Sequence, residues 1–313
     1  DDRDDRGGRG RLADAAPPPL AFPFAARRLD RDGLPPAPTA PPAPTATASP
    51  SPPPTATPTP WPTTQPATGT SPPPTSTPDV AVDGQRVTTA HYALVVEPLD
   101  GEALDGLDGR AIGRLLEAAY PQLAAHFGAV PDGRLPGKIF ASAAAMAAGM
   151  AADGLRYGGG GGYYHPANRT FYAFAQPSAY FTRMLILHEA THQFHYLSVT
   201  GNGGFSGFWY GEGLAEHFGM HRWDGTSLAT GVIPAISLED YPAQALAEFD
   251  GRSNDLAALV ADRGGWSRPS GWGVVSWLLD ERPDGAKALF ERLNRRDDPV
   301  ASWTAVFGPV TAA

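Results

Sequence analysis

Five of the eight histidines in this 313-residue chain fall between 188 and 221, and three share one stretch, Leu187-His188-Glu189-Ala190-Thr191-His192-Gln193-Phe194-His195-Tyr196. His188 and His192 are four residues apart. On a helix that spacing puts both imidazoles on one face, one turn apart, where they can share a single metal ion. Neutral imidazole nitrogens at about 2.0–2.1 Å suit Zn2+. Glu189 follows the first of them and projects beside the metal, where it can take a proton from bound water. The approach to the motif, Met184-Leu185-Ile186-Leu187, is apolar, as in a helix buried in a core. A buried helix needs a reason to carry two His and a Glu, and metal binding is that reason.

A catalytic zinc usually takes three protein ligands and leaves one position for water. Downstream stands Trp209-Tyr210-Gly211-Glu212-Gly213-Leu214-Ala215-Glu216-His217. Glu212 can be the third ligand. Glu216, one helical turn beyond it on the same face, can accept the other ring proton of a ligating His. His195 is a weaker alternative, because about 10 Å of helical rise separates it from His188. No Gly stands three residues after His192, so the metzincin pattern is absent.

HEATHQ followed about twenty residues later by W-x-x-E-G-L-A-E resembles the gluzincins, the thermolysin-like clan of zinc peptidases. It is most similar to a bacterial group of peptidase-MA-like domains. The resemblance runs from about 86 to about 308 and implies His188, His192 and Glu212 as ligands of one catalytic Zn2+, with Glu189 as general base. It also implies that the G-Y-Y-H-P-A-N-R-T segment before the zinc helix is an edge strand against which an extended peptide pairs. The fold it implies is α+β: a small N-terminal mixed-sheet lobe, a helical C-terminal lobe and the active-site helix between them. The G-x-M-E-N motif of the aminopeptidase N type is missing, which points away from an exopeptidase and toward an endopeptidase. No motif assigns the group that stabilises the oxyanion; Tyr163, Tyr164, Tyr210, Tyr241 and His195 are all candidates.

Other features have plainer readings. His217 and His221 are also four apart, but Gly219 lies between them and no carboxylate follows the first, so a surface pair is expected rather than a second metal. Asn168-Arg169-Thr170 is a glycosylation sequon with no assigned role. Trp266, Trp272 and Trp277 are expected to pack rather than to form a carbohydrate platform.

The elements that must position these residues follow from periodicity. The β-branched and aromatic run 86–97 predicts one strand, and 138–141 a short buried one. The spacing of Ile112, Leu115, Leu116, Ala119 and Leu123, closed by Gly128, predicts a helix over 109–127, and an Ala/Met helix follows at about 142–152. Five glycines at 158–162 lack the Lys-Ser/Thr of a phosphate loop and lead into 163–174, a hairpin turning at 165–168. Helices are expected at 178–197, 209–221, 271–280 and 285–294. Strands first and helices later argue for α+β.

Composition bounds the rest. Residues 35–78 hold 18 Pro and 12 Thr and no charged residue, a composition that cannot build a core and favours an extended polyproline-II stalk. Residues 1–34 carry 7 Asp and 7 Arg and read as a disordered head. The globular domain is therefore 79–313, and the whole net charge of −9 falls on it, 17 basic against 26 acidic residues. With no basic stripe, nucleic acid is not an expected partner. Zero cysteines exclude disulfide scaffolds, thiolate metal sites and cysteine nucleophiles. No apolar run is long enough to span a membrane. The stalk, and a chain that begins at Asp1 rather than Met, suggest an extracytoplasmic protein, secreted or attached to the envelope.

The reading is a monomeric zinc metallopeptidase acting on a peptide or protein substrate. The alternatives are a non-catalytic surface binding module on the same fold and a zinc amidase acting on a cell-wall peptide.

Overall fold

The computed structural model describes residues 79–310 apart from 100, 102–103, 105, 234–239 and 254. The head at 1–34 and the Pro/Thr segment at 35–78 lie outside the described residues. The first half is a six-stranded mixed sheet with helices on both faces. Its strands are β1 (Ala81–Asp83), β2 (Arg86–Thr88), β3 (Tyr92–Val96), β4 (Leu135–Phe140), β5 (Gly162–His165) and β6 (Thr170–Phe174), in the order β1-β2-β3-β4-β6-β5. The two parallel joins, β3 to β4 and β4 to β6, need crossovers. Helix α1 (Gly109–Phe127) makes the first and helix α2 (Ala143–Ala152) lies within the second.

The run 86–97 is not one strand. It folds back on itself, Arg86 pairing with Val95 and Thr88 with Ala93. The reversal is built by Thr89, whose backbone N–H donates to the Tyr92 carbonyl at 3.0 Å while its hydroxyl oxygen accepts the Tyr92 N–H at 2.9 Å. A threonine inside a β-rich run can thus act as a turn residue through its side chain.

Strand alternation divides the core between the two faces. Leu135 and Ile139 of β4 and Phe171 and Ala173 of β6 join the cluster of Ile112, Leu116 and Leu123 from α1. Phe140 and Tyr172 point the other way, against Met146 and Met150 of α2. Both helices start on side-chain caps, Asp108 accepting from Ala111 N–H at 2.7 Å and Ser142 from Ala145 N–H at 3.2 Å. At its far end α1 stops on Gly128 with φ 64°, the left-handed cap that its glycine foretold.

After the sheet come α3 (Ala179–Ser198), α4 (Phe208–Gly219), a two-stranded ribbon β7 (His221–Trp223) and β8 (Leu228–Thr230), then α5 (Tyr241–Gly251), α6 (Leu256–Val260), α7 (Arg268–Glu281), α8 (Pro283–Asn294) and α9 (Pro299–Phe307). Helix α3 packs on α1, β5 and β6 from one side and on α4 from the other. The α+β class expected from sequence therefore holds, with strands first and helices later. Periodicity did not reveal α5, α6, α9 or the ribbon. The expected helix 209–221 stops at Gly219, and His221 opens β7 instead. Among the described residues no helix is long and apolar enough to cross a membrane.

Candidate metal centre

Helix α3 is buried on nearly all sides from Tyr180 to His195. An amphipathic stripe would have sufficed for packing, so its polar residues must be satisfied from neighbouring helices. Helix α4 does this. It crosses α7 with Gly213 against the Gly271 carbonyl, where even one added methyl group would overlap the backbone. Gly211 is likewise closed over by the Phe205 ring. The two glycines flanking Glu212 serve the helix packing that carries its carboxylate to α3.

The result is a compact donor set. His188 Nε2 and His192 Nε2 are 3.1 Å apart, and Glu212 reaches each, Oε2 to His188 and Oε1 to His192, both at 3.4 Å. All three residues are at most 3 % exposed. Among the described residues this is the one His/Cys/Asp/Glu group whose ligand atoms all lie within 4.8 Å of one another. The group can hold a metal ion.

The back of His188 is fixed by Glu216, whose Oε1 lies 3.3 Å from Nδ1. Arg268 of α7 donates to the same carboxylate at 2.6 Å, and the Tyr241 hydroxyl donates to its Oε2 at 3.0 Å. Burial opposes ionisation of Glu216, but the Arg268 guanidinium and then His188 outweigh it and hold its pKa below the usual value. An ionised Glu216 can accept a hydrogen bond from His188 Nδ1–H, which leaves Nε2 of His188 directed at Nε2 of His192. Two ring nitrogens at that separation beside a carboxylate can share either a proton or a metal ion.

The electrostatics agree. Burial works against a charged His188, yet Glu216 and Glu212 overcome it and push its pKa up to about 10. Burial likewise opposes the Glu212 carboxylate, but His192 and His188 bring it down to about 2. A proton and a divalent metal compete here for the same atoms. The donor set, two imidazoles and one carboxylate, is suited to a divalent transition-metal ion.

Glu189 occupies a different environment. It is fully buried, and among the described residues neither carboxylate oxygen has a hydrogen-bond partner. Burial raises its pKa first, with Glu212 adding, while His188 and His192 oppose. A Cβ on Gly162 of β5 would come within 2.7 Å of its Cγ and 2.8 Å of its Oε1, so the strand backbone runs directly against the carboxylate. That glycine gave no signal beyond membership of a five-glycine run.

The oxyanion candidates separate by their partners. His195 points away from the metal set: it is stacked between Phe127 and Phe205, and its Nε2 lies 2.6 Å from Asn294 Oδ1. The hydroxyl of Tyr210 donates to that same oxygen at 3.2 Å. Tyr164 donates to Asn202 Oδ1 at 2.7 Å, and Tyr241 belongs to Glu216. Tyr163 alternates with Gly162 along β5 and packs on the α2 face with Met146 and Met150. These side chains build the fold around the site. Tyr196, which the sequence reading passed over, stands one turn after His192 on the same face, and it shares a cavity with Glu212.

The histidine pair outside the set is not a second centre. His217 Nδ1 meets Ser276 Oγ at 3.0 Å. His221 is fully buried rather than at the surface, with Nδ1 donating to the Gly219 carbonyl at 2.8 Å and Nε2 accepting from Arg183 at 3.2 Å. Trp266 is buried, Trp272 packs edge-on to Tyr241, and Trp277 lies under the Arg282 guanidinium, so the three form no common surface. No protein-family model matches this sequence and no curated protein is significantly similar to it, so its function has to be argued from this geometry.

Proposed function

We propose that this chain is a zinc-dependent peptidase of gluzincin type, with His188, His192 and Glu212 as the ligands and Glu189 as the general base. The observation that carries the reading is the convergence of those three donors beside a buried carboxyl that has no hydrogen-bond partner among the described residues. Such a carboxyl is costly to fold and would be expected to have a task. A thermolysin-like arrangement is supported by the mixed sheet on one side of α3 and the helices on the other.

A zinc ion held there would acidify water and polarise a scissile carbonyl. Glu189 takes a proton from the attacking water and passes it to the leaving amine nitrogen as the C–N bond breaks. Glu216, fixed by Arg268 and Tyr241, keeps the His188 proton on Nδ1 and its ring orientation constant. Strand β5 is the outer strand of the sheet and passes Glu189 at Gly162, which suits an extended peptide pairing along its free edge.

The direct test is metal content of the full chain, wild type beside Glu212→Gln, with cleavage of an unstructured protein followed in the same samples. The expected result is one equivalent of zinc, weakened or lost in the variant, with cleavage stopped by a chelator. Stoichiometric zinc without cleavage would turn the reading to a binding module or an amidase. Zinc in neither protein would sink it.

Gly162→Ala probes the close approach of β5. The methyl group would displace the Glu189 carboxylate, so turnover should fall about a hundredfold while zinc is retained, since small misplacements of a reacting group cost that much. Unchanged turnover would mean that Glu189 does not act from its present position.

A further inference from the structure

A cavity of about 450 Å3 opens beside the metal centre, with Glu212 on its floor. Its walls are the half-buried Tyr196 and Phe205 together with Ser206. Its rim carries the exposed Phe208 and Asp262. Three aromatic rings and two carboxylates therefore line it, and among the described residues no Lys, Arg or His does. The nearby Arg263 lines a separate recess with Arg252 and Trp266.

Asp262 is held in place. Its backbone is left-handed, with φ 52°. One carboxylate oxygen accepts the Phe208 N–H at 2.8 Å and the other the Trp209 N–H at 3.4 Å, which caps the helix that carries Glu212. Each oxygen keeps a further lone pair for a ligand. With Glu212 committed to the metal, Asp262 is the remaining charged residue of the lining; the Arg296 guanidinium approaches Tyr196 from outside it.

We infer that this cavity is a specificity pocket for a basic side chain, lysine or arginine, on one fixed side of the bond cut; this deepens the peptidase reading above and rests on it. A long basic side chain lays its apolar stem along Tyr196 and Phe205 and brings its cationic head to the rim. There the Asp262 carboxylate and the Phe208 ring face both attract it. A neutral side chain of the same length gains the stem contacts alone, and an acidic one meets Asp262 with like charge.

The test uses the zinc-loaded full chain and a set of peptides that differ at one position, Arg, Lys, Met, Gln or Glu. Cleavage at Arg and Lys should exceed that at Met and Gln by about fivefold or more in kcat/KM, with Glu lowest, the size expected of one charge at a pocket rim. Asp262→Asn should erase most of that ratio. Asparagine keeps one acceptor oxygen for the shorter bond from the Phe208 N–H, loses only the 3.4 Å contact to Trp209, and tolerates the left-handed backbone, so the variant keeps the fold. Cleavage with no basic preference, or a preference that Asp262→Asn leaves intact, would overturn the pocket assignment. If no peptide is cut, the peptidase reading fails first. Binding of N-acetyl-arginine amide to the zinc-loaded protein, measured by calorimetry, then decides the pocket alone. Binding weakened about fivefold by Asp262→Asn supports it, and no binding, or equal binding by both proteins, overturns it.

Discussion

Glu189→Gln is expected to keep its zinc, lose about 10²–10⁴ in cleavage rate, the range of general-base catalysis, and unfold no earlier than the wild type. The substitution leaves the side-chain shape nearly unchanged and the three ligands untouched, so the metal should stay. What disappears is the ability to take a proton. The stability side follows from burial: Glu189 is fully enclosed and has no hydrogen-bond partner among the described residues. A neutral amide there relieves the desolvation that dominates at Glu189, and about 1 kcal/mol of relief is about 2–4 °C in Tm for a domain of this size. Lost turnover with equal or higher Tm is the signature of a group kept for chemistry. Wild-type turnover would remove Glu189 from the reaction, and loss of zinc together with turnover would mean that the site itself had been disturbed.

The parts of this site that could be read from sequence are those fixed by helical spacing. His188, Glu189 and His192 lie on one helix, and Glu212 and Glu216 on another, so a four-residue period placed each set on one face. The structure brings the two sets together, which the spacing alone did not require. Arg268 comes from α7, 52 residues beyond Glu216, and no local pattern marks an arginine that will be buried against a carboxylate. Gly162 lies in a glycine run whose backbone approach to Glu189 depends on tertiary packing. The fold shows the same division. α1 declared itself through its apolar period and its glycine cap, whereas 86–97 hid a reversal because its turn is made by a threonine hydroxyl rather than by Gly or Pro. α9 gave no signal because nine residues, however well capped by Asp298, are too short for a clear period.

Acid should unfold this protein abruptly, and the main cause is a set of buried and half-buried neutral histidines. Burial lowers the pKa of His126, His217 and His221 to about 4 each and that of His195 to about 3. Geometry explains two of them. His221 Nε2 accepts from Arg183, so a proton there would meet a guanidinium, and His195 is enclosed by the Phe127 and Phe205 rings. Each folded pKa lies below the unfolded value of about 6.5, so above that pH both states are neutral and nothing is lost. As pH falls below it the unfolded chain takes up protons that the folded chain refuses, and stability drops until the folded values are reached. Four such groups give a slope of about 5 kcal/mol per pH unit between about pH 6 and 4.5, so roughly two units remove as much as a typical domain possesses. Glu212, held at about 2 against an unfolded value of about 4.5, does not soften this and adds to the loss at the lower end of the window. Metal-free protein isolates the effect, since bound zinc would add the proton uptake of its own ligands. Denaturant titrations from pH 8 to 4 would measure the slope. His126→Phe should lower it by about a quarter, because the ring is surrounded by Phe127, Phe218 and Phe290 and phenylalanine keeps its shape without its proton. A slope below about 2 kcal/mol per unit would mean that these imidazoles titrate in the folded state.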